Sequence, residues 1–320
     1  MRLRHQILAV AVALAAVALA AGCGSASPSS STPGRPSPAA HRQLWQPRTP
    51  VIGVTTADAP RSYSGTEAFD NATGVKANLV MYYSGWQEDF KTAFARQADK
   101  NGATVLVNID TQGGAQLGAI AAGRYDTYLK RFASEINAFG HPVVVSFDHE
   151  MNGTWYPYGY THVASAEFVA AWRHVHRVID ETTALVTWMW TINIYAGNRT
   201  GPLAPLYPGD AYVDVIGIDG YDYSGTQPPA KTFGTTIHDA HELAPSKPMM
   251  IAETSVAPGP NAATQTTELF QVVKAGRLLG VLWFDVDRTH YTQGTDRHDW
   301  RLEDDPAALA AFRAAVREYR

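Results

Sequence analysis

The stretch Pro142-Val143-Val144-Val145-Ser146-Phe147 carries no charge and no polar–apolar alternation, and it runs straight into Asp148-His149-Glu150. A short, evenly apolar run is what a strand buried on both faces requires. Three ionisable groups at the end of such a strand are costly unless they are paired or put to use. The apolar run recurs at Val51–Thr55, Ala77–Tyr82, Thr104–Ile109, Leu185–Trp190, Val213–Ile218, Pro248–Ala252 and Val281–Val286, eight runs in all.

Between most of these lie stretches with helical spacing: Asp89–Lys100, Tyr125–Phe139, Ser165–Asp180, Thr264–Leu279 and Pro306–Tyr319. The first, fifth and sixth connections are weaker, and the fifth carries Gly and Pro where a full helix would be expected. Strands alternating with helices pair in parallel through right-handed crossovers. Eight such units in about 270 residues predict an α/β protein with a single closed (β/α)8 TIM barrel. No Gly-x-Gly-x-x-Gly follows the first strand, which weighs against a dinucleotide-binding fold.

A barrel enzyme carries its working residues at the C-terminal ends of its strands. Those ends read Asp110, Asp148-His149-Glu150, Asp219-Gly220-Tyr221-Asp222, Glu253, and Asp285 with Asp287. For any single Asp, a rim salt bridge or cap is the simpler account. Glu150 and Glu253 stand out: one opens a loop dense with rings, Trp155-Tyr156-Pro157-Tyr158, and the other caps Met249-Met250-Ile251-Ala252. Glycoside cleavage needs one protonated carboxyl for the leaving oxygen and one carboxylate opposite. The fourth and seventh strands of a barrel lie on opposing walls, so the two side chains can face each other across its mouth.

The ends of the chain read differently. Arg2 and Arg4 precede an apolar run, Ile7 to Ala21, of signal-peptide length. It closes in Ala20-Ala21-Gly22-Cys23, and Cys23 is the one cysteine of the chain. Residues 1–23 are expected to be a lipoprotein-type signal ending at Cys23, the lipidation site. Ala20 stands where such signals usually have a larger aliphatic, and ordinary cleavage after Ala18-Leu19-Ala20 is the alternative. Residues 24–50, rich in Ser, Pro and Ala, are expected to be a disordered linker, and residues 51–320 the catalytic domain. The expected location is the outer face of the bacterial cell membrane, or the medium if Cys23 is not lipidated, with the lipid as the sole membrane contact. A formal charge of −4 without a basic patch speaks against a nucleic-acid partner. His174 and His176 point to different helix faces, and His149-Glu150 lacks the second His of a zinc protease helix, so no metal or other cofactor is expected.

The stretch His149 to Gly159 resembles the acid/base segment of glycoside hydrolase family 26. Trp188-Met189-Trp190-Thr191-Ile192-Asn193, Tyr207-Pro208-Gly209-Asp210, Gly217-Ile218-Asp219-Gly220-Tyr221-Asp222, Ala252-Glu253-Thr254 and Leu282-Trp283-Phe284 resemble later family segments in the same order. The resemblance implies a retaining endo-β-glycanase with Glu150 as acid/base and Glu253 as nucleophile. It further implies His149 near the sugar 2-hydroxyl, Tyr221 on the nucleophile and Trp283 as floor under the sugar, with Trp155 and Trp190 as stacking surfaces or cleft walls. An Arg often found before the His-Glu pair is absent, and Thr191-Ile192 replaces the family's Ser-Pro. The family's commonest substrate is β-1,4-mannan. Trp155-Tyr156-Pro157-Tyr158-Gly159 is similar to members acting on mixed-linkage β-1,3-1,4-glucan, and β-1,3-xylan is a third option. A non-catalytic carbohydrate-binding surface lipoprotein is the alternative of another class.

Overall fold

The computed structural model describes residues 44–47, 50–112, 115–291 and 296–319. Eight parallel strands close into a barrel in chain order, with β8 paired to β1. They are β1 (Val51–Thr56), β2 (Leu79–Gly85), β3 (Thr104–Asp110), β4 (Val143–Phe147), β5 (Val186–Asn193), β6 (Val215–Asp219), β7 (Met249–Thr254) and β8 (Gly280–Asp285). Helices α1 (Ser64–Thr73), α2 (Thr92–Lys100), α3 (Leu117–Ala121), α4 (Asp126–Phe139), α5 (Ser165–Asp180), α6 (Pro229–Leu243), α7 (Ala262–Ala275) and α8 (Pro306–Tyr319) are the regular helices of the described connections. The expected (β/α)8 barrel is the fold. The first and sixth connections, weak in sequence, do form helices α1 and α6. The fifth, residues 194–214, has only three short 3-10 turns.

Side chains on a strand alternate between two faces, and here the two faces meet different cores. Val51, Leu79, Leu106, Val144, Met189, Val215, Met250 and Leu282, one from each strand, fill the barrel interior. The intervening residues, among them Val145, Trp188, Trp190, Ile216 and Trp283, pack outward under the helices. Gly53 and Gly217 keep the interior closed without overfilling it. A Cβ on Gly53 would come 2.9 Å from the Leu282 side chain, and one on Gly217 would come 2.8 Å from that of Ala252. Helix ends follow the usual chemistry. The Asp305 carboxylate accepts the Ala307 and Ala308 N–H groups at the start of α8, while Gly74 and Gly140 end α1 and α4 in the left-handed conformation.

The linker expected over 24–50 does not run as a spacer to its end. Trp45 is 8% exposed, donates its backbone N–H to Thr187 Oγ1 at 2.7 Å, and joins the interior cluster at the N-terminal end of the barrel. It acts as a plug, because an open barrel end exposes apolar side chains that an indole can cover. Cys23 and the rest of the expected signal lie outside the described residues. Trp45→Ala is expected to lower the unfolding free energy by about 3 kcal/mol, the low end for loss of a buried Trp. A falling urea midpoint at unchanged slope reads it, and an unmoved midpoint would show that the plug adds nothing.

Candidate active site

The chain leaves β4 under tension. Asp148 and Glu150 have φ of 48° and 55°, left-handed values that cost a non-glycine residue about 1–2 kcal/mol each. Neighbouring strands hold them there. Asp148 donates its N–H to Ile109 O and accepts the Thr111 N–H and Oγ1–H at 2.8 and 2.9 Å, while Glu150 donates its N–H to Thr191 O at 2.8 Å. The result turns the Glu150 carboxyl into the mouth. Its Oε1 accepts from Asn193 Nδ2 and its Oε2 from Trp155 Nε1, both at 2.5 Å. Burial raises Glu150 above the usual carboxylate range. The His149 charge and the two donors pull it down, and the Glu253 charge pushes it up.

His149 lies beneath, 2% exposed. Burial disfavours its charge, but the charge and hydrogen bond of Asp110, helped by Glu150, win and hold it at about 10. As an imidazolium it donates Nδ1–H to Asp110 Oδ1 at 2.9 Å and Nε2–H to the Tyr156 oxygen at 3.1 Å.

Glu253 reaches the same mouth by a different device. Ile251 points outward and Ala252 inward, so strict alternation would turn Glu253 outward, into the helix layer. The pairing slips instead: Ile218 faces Ile251 but Asp219 faces Glu253, and Ile251 and Thr254 face Val281 and Trp283. One extra residue in β7 forms a bulge, which re-aims a side chain. Glu253 Oε1 then accepts from the Tyr221 hydroxyl at 2.7 Å and Oε2 from the Tyr83 hydroxyl. Asp219, fully buried between the two glutamates, is held well above the carboxylate range by burial and by the charges of Glu253 and Glu150.

Above these groups opens a cleft of about 860 Å³, walled by Trp155, Tyr156, Tyr195, Tyr223, Arg288 and His298, with Glu150 and Glu253 in its floor. Of the residues named from sequence, Glu150, Glu253, Trp155 and Tyr221 border this cleft and His149 supports it. Trp190 and Trp283 do not. Trp190 is fully buried against Tyr207 on the outer face of β5. Trp283 is 1% exposed and packs edge-on against Phe312 of α8. Neither forms a floor or wall for a sugar. Trp300, unmarked in the sequence, lies under the cleft wall instead, 5.1 Å from Tyr221 and 5.9 Å from Tyr223 between ring centres. Sequence reasoning also passed over Tyr83, Asn193 and Tyr156 as partners of the charged groups. Counting alternate residues from Met81 and Met189 would have turned Tyr83 and Asn193 inward.

Asp110→Asn leaves burial opposed only by the weaker pull of Glu150 and Asp219, so the titration of His149 is expected to fall from about 10 toward the ordinary histidine range. Because the folded value lies above the unfolded 6.5, the pair contributes stability that is full below about pH 6.5 and lost as pH rises through about 10. Ring 15N NMR of His149 reads the change, and a ring still doubly protonated at about pH 9 in the variant would rule out Asp110 as its source.

Residues 117–244 match the model of Glycosyl hydrolase family 26, a span that takes in Glu150 and ends before Glu253. Over 281 residues the chain is 30% identical to Endoglucanase H of Acetivibrio thermocellus, which covers 83% of this chain and 30% of that protein. The chain thus spans less than a third of that relative's length. Among solved structures, a double mutant of the Cellulomonas fimi endo-beta-1,4-mannanase superposes with a TM-score of 0.64 at 17% identity, covering 83% of this chain and 70% of that one. A beta-mannanase from Bacteroides ovatus gives 0.64 at 15% identity, covering 84% and 89%. Identities that low speak for the fold alone, but the sequence match and the family model agree with it, and the chain belongs to glycosyl hydrolase family 26.

Proposed function

We propose that the chain is a retaining endo-β-glycanase acting on a β-1,4-mannan-type polysaccharide, with Glu253 as nucleophile and Glu150 as acid/base. The observation that carries this reading is the contrast between two carboxyls in one cleft. Glu253 meets a hydroxyl donor at each oxygen, as suits an ionised attacking group. Glu150 is raised by burial, as suits a group that must hold a proton at neutral pH. In the first step a Glu253 oxygen bonds to the sugar C1 while the C1–O bond to the leaving chain breaks, and Glu150 hands that oxygen its proton. In the second, water attacks C1, Glu150 takes the water's proton, and the Glu253–C1 bond breaks. Two inversions restore the β configuration, and Tyr83 and Tyr221 orient Glu253 throughout.

A second reading, hydrolysis of mixed-linkage β-1,3-1,4-glucan, is favoured by one observation. A relative that matches 83% of this chain is named an endoglucanase, whereas the sequence matches named mannan endo-1,4-beta-mannosidase cover 25%, 23% and 42% of it. The same proposal includes export and lipidation at Cys23, on the sequence of residues 1–23, with the Ser/Pro-rich stretch as a tether. Cys23→Ser should then move the protein from the membrane fraction to the soluble one; an unchanged distribution would argue against a lipid anchor.

Reducing-end release from β-mannan, galactomannan, barley-type β-glucan, β-1,3-xylan and cellulose tests the reaction and its substrate together. Activity is expected on one of the first three and lost to background in Glu253→Ala. Glu150→Ala is expected to slow polymer hydrolysis by about 10²–10⁴-fold while sparing aryl glycosides whose leaving group needs no proton. Full activity in Glu253→Ala, or silence of the unaltered chain on every polymer, would sink the proposal.

A further inference from the structure

Trp155 stands in the cleft wall, but its polar atom is not turned toward a substrate. The indole Nε1–H donates to Glu150 Oε2 at 2.5 Å. Three features fix the ring there. The Arg199 guanidinium lies over it, 5.4 Å from the ring centre. A Cβ on Gly153 would collide with the indole, so the ring rests against a stretch of backbone that only glycine leaves open. The loop that carries it is pinned to residues 199–201 by backbone. Thr154 donates to Arg199 O at 3.0 Å, Gly201 donates to Asn152 O at 2.7 Å, and Gly153 and Thr200 form an antiparallel bridge. Arg199 has no carboxylate within ion-pair distance among the described residues, and its guanidinium rests on this ring.

We infer that Trp155 is a positioning residue whose indole N–H, clamped by Arg199, sets the pH at which Glu150 gives up its proton. The inference rests on Glu150 being the acid/base. The two half-reactions ask opposite things of that group, first to give a proton and then to take one. A donor on Oε2 favours the ionised form, and so offsets the burial that favours the protonated one. Asn193 does the same at Oε1 from inside β5, where it is fixed by the barrel. Trp155 acts from the rim, on a loop whose position depends on the chain after β5.

The other groups that face Glu150 are His149 from the end of β4, Glu253 from β7 and Asp219 from β6, with Arg199 behind the indole. Tyr156, Tyr158 and Tyr223 also face it, but burial pushes their phenols well above neutral pH. None of these changes when the indole N–H is removed.

Trp155→Phe keeps an aromatic ring and deletes the donor. In the pH profile of kcat/KM, which reports the free enzyme, the alkaline limb marks ionisation of Glu150. That limb is expected to move up by about one pH unit in the variant, the effect of one lost charge-assisted hydrogen bond. Arg199→Met is expected to move it in the same direction by less. A limb that stays put while KM rises would make Trp155 a stacking surface only and overturn the inference. The infrared carbonyl band of protonated Glu150, assigned by its loss in Glu150→Gln, gives a readout without turnover. Its midpoint should rise in Trp155→Phe whether or not any polymer is cleaved, and equal midpoints would overturn the inference. Lack of hydrolysis by the unaltered chain would instead strike at the acid/base reading and leave this titration to decide the role of the indole.

Discussion

Four carboxyl groups share one buried pocket with a single imidazolium. Asp110, Glu150, Asp219 and Glu253 sit at the ends of β3, β4, β6 and β7, each less than a tenth exposed, with His149 in their midst. Ionising all four would leave three uncompensated charges on buried groups, which no folded protein tolerates cheaply. The structure answers by favouring neutral carboxyls. Asp219, whose oxygens find no donor among the described residues, is pushed toward its protonated form by burial and by the charges of Glu253 and Glu150. Glu150 is raised, while Asp110 is matched to His149. Glu253 is the carboxyl that meets hydroxyl donors at both oxygens. The contrast between Glu150, raised by burial, and Glu253, met by a hydroxyl at each oxygen, therefore follows from a shortage of countercharge, not from any special property of either residue.

Both glutamates arrive by local departures from ideal strand geometry. Glu150 needs two left-handed residues on a chain that β3 and β5 hold by hydrogen bonds. Glu253 needs an extra residue in β7, without which alternation would bury it beneath α7 and α8. Strain of this kind persists only where the surroundings over-determine it, and here the surroundings are the paired strands. The barrel supplies rigidity that a loop could not, which is why a carboxyl can be held against a cost of about 1–2 kcal/mol per left-handed residue.

The eight strands were legible because parallel strands under helices are apolar on both faces, so each shows as an unbroken run. The same criterion fails where the runs turn polar. β2 continues past Tyr82 to Tyr83, and β5 past Trp190 to Asn193, and these continuations carry the partners of Glu253 and Glu150. Resemblance to the family placed both carboxylates, and strand ends alone had already pointed to them. It misled at Trp190 and Trp283, because a tryptophan that fits a family segment says nothing of which face of the strand it takes. One known interior residue, Met189 or Leu282, settles the phase and turns both rings outward. The bulge in β7 defeats that counting in the other direction, since nothing in Met249-Met250-Ile251-Ala252-Glu253 marks an extra residue. Trp45 stayed with the linker for a simpler reason: one ring beside Leu44, Gln46 and Pro47 cannot be told from linker until the barrel it covers is seen.

The missing helix after β5 is part of the same design. Gly197, Gly201, Pro202, Pro205, Pro208 and Gly209 break helical continuity, and a helix there would pack against the outside of the barrel like the helices of the other seven connections. An irregular chain is free to cross the rim instead. Residues 199–201 do so, pairing with residues 152–154 of the loop after β4. Thr200 is tied back by accepting the Ala196 N–H at 2.9 Å, so the crossing segment is itself braced against β5. The strand that supplies Asn193 to one oxygen of Glu150 is thus continuous with the segment that holds Trp155 on the other. Displacement of the β5 rim would loosen both donors together, because the placing of each depends on one continuous stretch of chain, residues 191–201.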